Sequence, residues 1–265
     1  MAAPGSIKTA EVVCVCKGPD SLVYSTAFSP DGTHILTGST DRTARLWDLR
    51  GNELRVFGET DGHQDEVRVA AFSPDGRHIL TGSRDKTAIL WDLEGEKLAT
   101  FIGPEEGIIA AAFSPDGSRI LTGSMDGTAC LWDVKGTSIK EIKLHEGEIG
   151  LITFSPDAGH ILAVPRGGKI ACLWDLYGDK RWLLKGHDDR ITCATFSKDG
   201  HYILTAADDR TIRMWDIKGA ITRILLKGHQ AAVNSVAVSP GNAYILTGSN
   251  DKTARLWDFQ GRRIS

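Results

Sequence analysis

Three stretches of the chain carry a histidine, a threonine, an aspartate and a tryptophan in the same order and at the same intervals. They are His63, Thr81, Asp85 and Trp91; His187, Thr205, Asp209 and Trp215; and His229, Thr247, Asp251 and Trp257. A hydroxyl, an imidazole and a carboxylate are the parts of an acyl-transfer triad, in which the ring takes the hydroxyl proton and the carboxylate orients the ring. A catalytic triad, however, occurs once and ends in a nucleophile open to substrate. These sets occur three times, and each includes a tryptophan. Ser83 and Ser249 are alternative hydroxyls in the first and third sets, but Ala207 stands at that position in the second. The threonine is therefore favoured throughout, and catalysis by any of the sets is not expected.

Other reactive groups give little. The five cysteines, at 14, 16, 130, 172 and 193, are scattered and odd in number. A lone Cys-x-Cys lacks the second pair a zinc site needs, so these read as small packed side chains, reduced in an intracellular, cytoplasmic setting. Asp31-Gly32, Asp75-Gly76 and Asp116-Gly117 lack the dense oxygen spacing of a calcium loop and read as turns. No glycine-rich phosphate loop stands out. No metal or cofactor is expected.

The elements that must position these side chains come from a repeat. Trp-Asp pairs start at 47, 91, 132, 174, 215 and 257, spaced 44, 41, 42, 41 and 42 residues apart. Upstream of each lies a turn such as Ser29-Pro30-Asp31-Gly32, then a strand-like run such as His34 to Ser39. Each unit reads as four short strands. In the second unit they are Val67 to Phe72, His78 to Ser83, Thr87 to Trp91 and Lys97 to Phe101. No apolar period of 3.6 runs long enough for a substantial helix. Repetition at this period signals a propeller or solenoid built from units that cannot bury their faces alone.

These residues resemble the WD40-repeat β-propeller family, from about Ser6 to Arg262. The resemblance implies an all-β fold, a six-bladed propeller forming one domain over residues 7–265. Residues 1–6 read as a disordered tail or cloning remnant. Closure is expected from the N-terminal strand, Glu11 to Cys16, pairing outside the third strand of the last blade and hiding two open edges. The resemblance also implies that His, Thr, Asp and Trp bond together as a structural tetrad, since a buried indole N–H must find an acceptor. The first and third units lack the histidine. The fourth keeps His145 and Trp174 but reads Pro165-Arg166-Gly167-Gly168 where the aspartate belongs, so blade four should be the least regular.

With 31 basic and 34 acidic side chains and a net charge of −3, the chain lacks the basic bias of a nucleic-acid or membrane-surface protein. No apolar run approaches the ~20 residues a bilayer requires. By the resemblance, the rim at one channel mouth is a peptide-docking face. Carried over by motif, Leu22, Tyr24, Arg68, Arg84, Ile109 and Met125 form an apolar, arginine-rich arc, opposite a polar arc of Glu148, Asp208, Asn234 and Asn250. Trp182, outside any Trp-Asp pair, is expected half-buried on an outer strand. The expected function is a non-catalytic, monomeric scaffold that binds a protein or peptide, as a recognition domain of a larger signalling assembly. An enzyme using rim acidic groups (Glu66, Glu148, Asp208), or a structural or engineered propeller with no native ligand, are the alternatives.

Overall fold

The short apolar run that opens each unit becomes the first strand of a small antiparallel sheet. In the computed structural model, which describes residues 14–18, 21–178, 181–218, 221–225 and 228–264, these strands are Val23–Phe28, Val67–Phe72, Ile108–Phe113, Ile149–Phe154, Ile191–Phe196 and Val233–Val238. Each pairs with the next strand in sequence, giving five four-stranded sheets and a sixth of three strands in simple meander order. Among the described residues no helix is long and apolar enough to cross a membrane.

Turn chemistry sets the strand lengths. In the turn after five of the six first strands a serine hydroxyl donates to an aspartate two residues on, as Ser29 does to Asp31 at 2.5 Å; the sixth turn has Gly241 at that place. That bond, with the Thr33 amide, holds the Asp31 carboxyl down at about 2. The aspartate thus stabilises its own turn through one carboxylate oxygen, Asp31 Oδ1. Between the second and third strands, Asp85 accepts from the Thr87 amide at 2.9 Å, and Lys86 between them takes a left-handed φ of 74°. Here the aspartate stabilises a conformation that side chains other than glycine rarely adopt.

The core lies between sheets, not within them. One cluster joins Leu36, Leu46 and Phe57 of sheet one to Val67, Ile79 and Trp91 of sheet two. Four equivalent clusters join sheets two to three, three to four, four to five and five to six. Trp182 is half-buried on the fourth strand of sheet four, against the four-to-five cluster and 5.9 Å from the His160 ring. Sheet four is irregular as expected: its ladder between second and third strands stops at Ala163–Cys172, one pair short of its counterparts. Ala163 also stands where the other units have threonine.

Half of the expected closing strand, Glu11 to Cys16, lies outside the described residues. Residues 1–13 lie outside the described residues, and residues 14–18 form no strand. Along the outer edge of the third strand of sheet six lie residues 262–264. The Asp258 amide donates to Arg262 at 2.9 Å, the Ile264 amide to Leu256 at 2.8 Å, and Trp257 bridges Arg263. This is the register in which Trp47 meets Glu53 in sheet one, so sheet six begins a fourth strand of its own.

Candidate partner-binding rim

The three tetrad sets come together in sheets two, five and six. In sheet five the Trp215 indole N–H donates to Thr205 Oγ1 at 2.8 Å, and His187 Nε2 lies 2.7 Å from the same oxygen. His187 Nδ1 lies 2.7 Å from Asp209 Oδ2. The carboxylate only accepts, so it fixes the ring proton on Nδ1 and leaves Nε2 to accept from the hydroxyl. His63, Thr81, Asp85 and Trp91 repeat this with distances of 2.8 to 3.0 Å, as do His229, Thr247, Asp251 and Trp257 at 2.7 to 3.0 Å. Burial pushes the His187 imidazole's pKa down, outweighing the opposite pull of Asp209. Burial would raise the Asp209 carboxyl, yet bonds from Thr211, His187 and the Asp188 amide hold it low. All three threonines are buried, so no hydroxyl here is open to a substrate.

The tight turns of the tetrads share one end of the sheets with a row of bulges. Every first strand slips register near its start, opposite the end of the second strand. The slip leaves Tyr24, Arg68, Ile109, Gly150, Thr192 and Asn234 out of the ladder. A bulge turns one side chain away from the sheet face, and rims are where bulges concentrate. Next to each bulge the chain closes with a backbone bond: Thr40 to Leu22, Arg84 to Glu66, Met125 to Gly107, Arg166 to Glu148, Asp208 to Arg190 and Asn250 to Ala232. The residue types expected at the rim therefore come together in six equivalent bulge-and-turn pairs.

Leu22 is 68% exposed and Tyr24 also faces solvent, whereas Ile109 and Met125 are half-buried. The Arg68 guanidinium lies 3.7 Å above the centre of the Tyr24 ring, a cation–π contact that ties sheets one and two together at the rim. Glu66 sits between the two arginines, 3.1 Å from Arg68 and 3.7 Å from Arg84. Arg84 is the more exposed of the pair and the one whose charge faces outward.

Arg166 was not among the sequence-expected rim residues. The extra residue in Pro165-Arg166-Gly167-Gly168 hides its equivalence to Arg84, which the backbone bond to Glu148 reveals. Arg166 pairs with Glu148 at 3.0 Å, and Arg190 pairs with Asp208. The second arc is thus not merely small and polar: it carries two exposed arginines, each held by a carboxylate. A cleft of about 280 Å³ opens between sheets four and five there, lined by Gly150, Leu151, Val164, Arg166, Arg190 and Thr192. Among the described residues, no three histidine, cysteine, aspartate or glutamate side chains gather as a metal site.

A family model described as "IFT122 first beta-propeller" matches residues 6–258 of this chain. Among curated proteins, "WD repeat-containing protein 1" from Mus musculus and from Bos taurus is 40% identical over 50 residues, which is 18% of this chain. The Gallus gallus protein is 38% identical over 50 residues. The matched stretch spans 8% of the length of those relatives.

Proposed function

The chain belongs to the WD40-repeat β-propellers, as a member of the family described as the first propeller of IFT122, and from that premise we propose that it is a non-catalytic scaffold whose rim binds a peptide or protein segment. Function on such a scaffold must come from what it displays. The observation that carries the reading is the row of bulges, which offers one side chain from each of five sheets at a single rim, with Gly150 at the sixth place. The contact arc is Leu22, Tyr24, Arg68, Arg84, Ile109 and Met125. Tyrosine, arginine and methionine are the types that concentrate in interface cores and hot spots. Two arginines sharing one glutamate leave a net single positive charge beside apolar side chains. That suits a segment with one acidic or phosphorylated residue flanked by hydrophobic ones.

The enzymatic alternative has weaker support. Glu66, Glu148 and Asp208 lie on three different sheets, and each is engaged by an arginine rather than by a second carboxylate or a histidine. The tetrads serve the fold in this reading, by satisfying a buried indole in three sheets. Cytoplasmic residence belongs to the same proposal, supported by the free thiols of Cys14, Cys16, Cys130 and Cys193.

A displayed peptide library, panned on the wild-type chain, tests the proposal. Enriched peptides should carry an acidic residue among apolar ones. Arg84→Glu should weaken their binding by tenfold or more, on the order of the 1.4 kcal/mol or greater that reversing one contact charge costs. The double change Arg166→Glu with Arg190→Glu should leave it nearly unaltered. Binding that survives Arg84→Glu but is lost in the double variant would put the site on the opposite arc.

A further inference from the structure

A bulge side chain on one first strand can reach across to the next sheet. Tyr24 of sheet one lies under the Arg68 guanidinium of sheet two, 3.7 Å from its ring centre. Thr192 of sheet five donates its hydroxyl to the carbonyl of Val233, which opens the first strand of sheet six. Sheet four has Gly150 at this place, so no side chain extends from there toward sheet five. The local geometry favours the glycine: a Cβ on it would lie 3.0 Å from the Arg166 Cα and 3.1 Å from the Arg166 amide nitrogen. The turn Pro165-Arg166-Gly167-Gly168 therefore lies against the bulge, and the missing side chain leaves the cleft of about 280 Å³ between sheets four and five. That is close to the lower end of the roughly 300–1,000 Å³ typical of small-molecule sites.

The lining combines two chemistries. Leu151, Val164 and Ile191 give it apolar surface, and Cys193 adds a half-buried free thiol. Arg166 comes from sheet four and Arg190 from the start of sheet five, so each side of the cleft brings a guanidinium. Each meets its carboxylate through one nitrogen, Arg166 Nη1 to Glu148 at 3.0 Å and Arg190 Nε to Asp208. A guanidinium carries five N–H donors, so most of each fork is left for another acceptor. The two arginine side chains are 59% and 62% exposed, against 34% and 18% for their carboxylate partners, so the positive groups lie outermost. The carboxylates cancel the net charge and weaken attraction at long range. At contact, the remaining donors still select an anion that accepts from a planar fork.

We infer that the cleft between sheets four and five is a second site, separate from the arc that carries Arg84, and that it takes a small organic acid with one carboxylate on a compact, branched apolar body. The carboxylate accepts from Arg166 and Arg190, a charge-assisted pairing that is stronger than a neutral hydrogen bond. The apolar body fills the space that a bulge side chain at position 150 would otherwise occupy, against Leu151, Val164 and Ile191. An inorganic anion would leave that apolar surface uncovered, so the body is part of what is recognised. Nothing in this site depends on a peptide at the opposite arc, so each can be tested without the other.

Cys193 reports occupancy because it lines the cleft, whereas Cys14 and Cys16 lie outside it. Labelling of the 265-residue chain with iodoacetamide, followed cysteine by cysteine by mass spectrometry, should be slowed at Cys193 by isovalerate and not by the uncharged isovaleramide. Labelling of Cys14 and Cys16 should be unchanged by either. Arg166→Gln combined with Arg190→Gln should raise the isovalerate concentration that half-protects Cys193 by roughly tenfold or more, as losing charge-assisted hydrogen bonds does. Arg84→Glu should leave that concentration unaltered. Absence of protection at Cys193 overturns the inference, and so does equal protection by the acid and its amide. Equal protection by inorganic phosphate, which has no apolar body, overturns it as well, as does protection that survives in the arginine double variant.

Discussion

Replacing Thr205 with valine keeps the shape of the side chain and removes one oxygen, on which two buried groups depend. The Trp215 indole N–H donates to it at 2.8 Å, and His187 Nε2 accepts from it at 2.7 Å. Trp215 and Thr205 are fully buried and His187 nearly so, which leaves no water to take over. Each buried group left unsatisfied costs roughly 1–3 kcal/mol, so the change should cost about 2–5 kcal/mol in all. Sheet three provides the matched comparison. Trp132 donates to Thr122 at 3.0 Å, but Gly103-Pro104-Glu105 supplies no histidine, so Thr122→Val strands one group and should cost about 1–2 kcal/mol. Urea titrations of both variants at pH 7.5, read from the midpoint shift at constant slope, give the two losses. Equal losses, or a larger one for Thr122→Val, would refute the one-way chain from indole through hydroxyl and imidazole to carboxylate.

The tryptophans separate core from edge in the same way. Trp91→Ala opens the cluster between sheets one and two and should cost roughly 3–5 kcal/mol, while Trp182→Ala, at a half-buried outer strand, should cost under half of that by the same titration. Acid should weaken the fold before the carboxylates titrate. His187 is held neutral by burial, so the unfolded chain binds the extra proton, and stability present above about pH 6.5 is lost as pH falls below it. Urea midpoints at pH 7.5 and 5.5 should show the wild type weaker at the lower pH, with a smaller difference in His187→Gln. A wild type stronger at pH 5.5 would reverse the assigned sign.

Much of this molecule is legible in its sequence because each landmark has a local physical cause. Ser29-Pro30-Asp31-Gly32 turns because the serine and aspartate bond to each other and to the turn, wherever the sheet sits. His187, Thr205, Asp209 and Trp215 lie far apart in the chain, but the strand pairing that brings them together follows from the repeat period alone. Two features escaped for reasons of a different kind. Arg166 was hidden by one inserted residue, which breaks the alignment of the turn while the backbone bond from its amide to Glu148 keeps the register. Charge partnership was hidden as well: Glu66 meets Arg84 across the strand pair, a relation that a count of rim residue types does not express. The exposure of Val23 and Leu246, whose counterparts in the other units are buried, is the deepest case. Repeat length states how many sheets a chain can make, but whether six of them close a ring depends on the rotation from each sheet to the next. That rotation is set by the volumes packed in each junction, such as Leu36 against Val67 and Ile79, and no single unit carries it. Val23 and Leu246 have the same residue types as their buried counterparts, so only the three-dimensional array distinguishes the exposed copies from the buried ones.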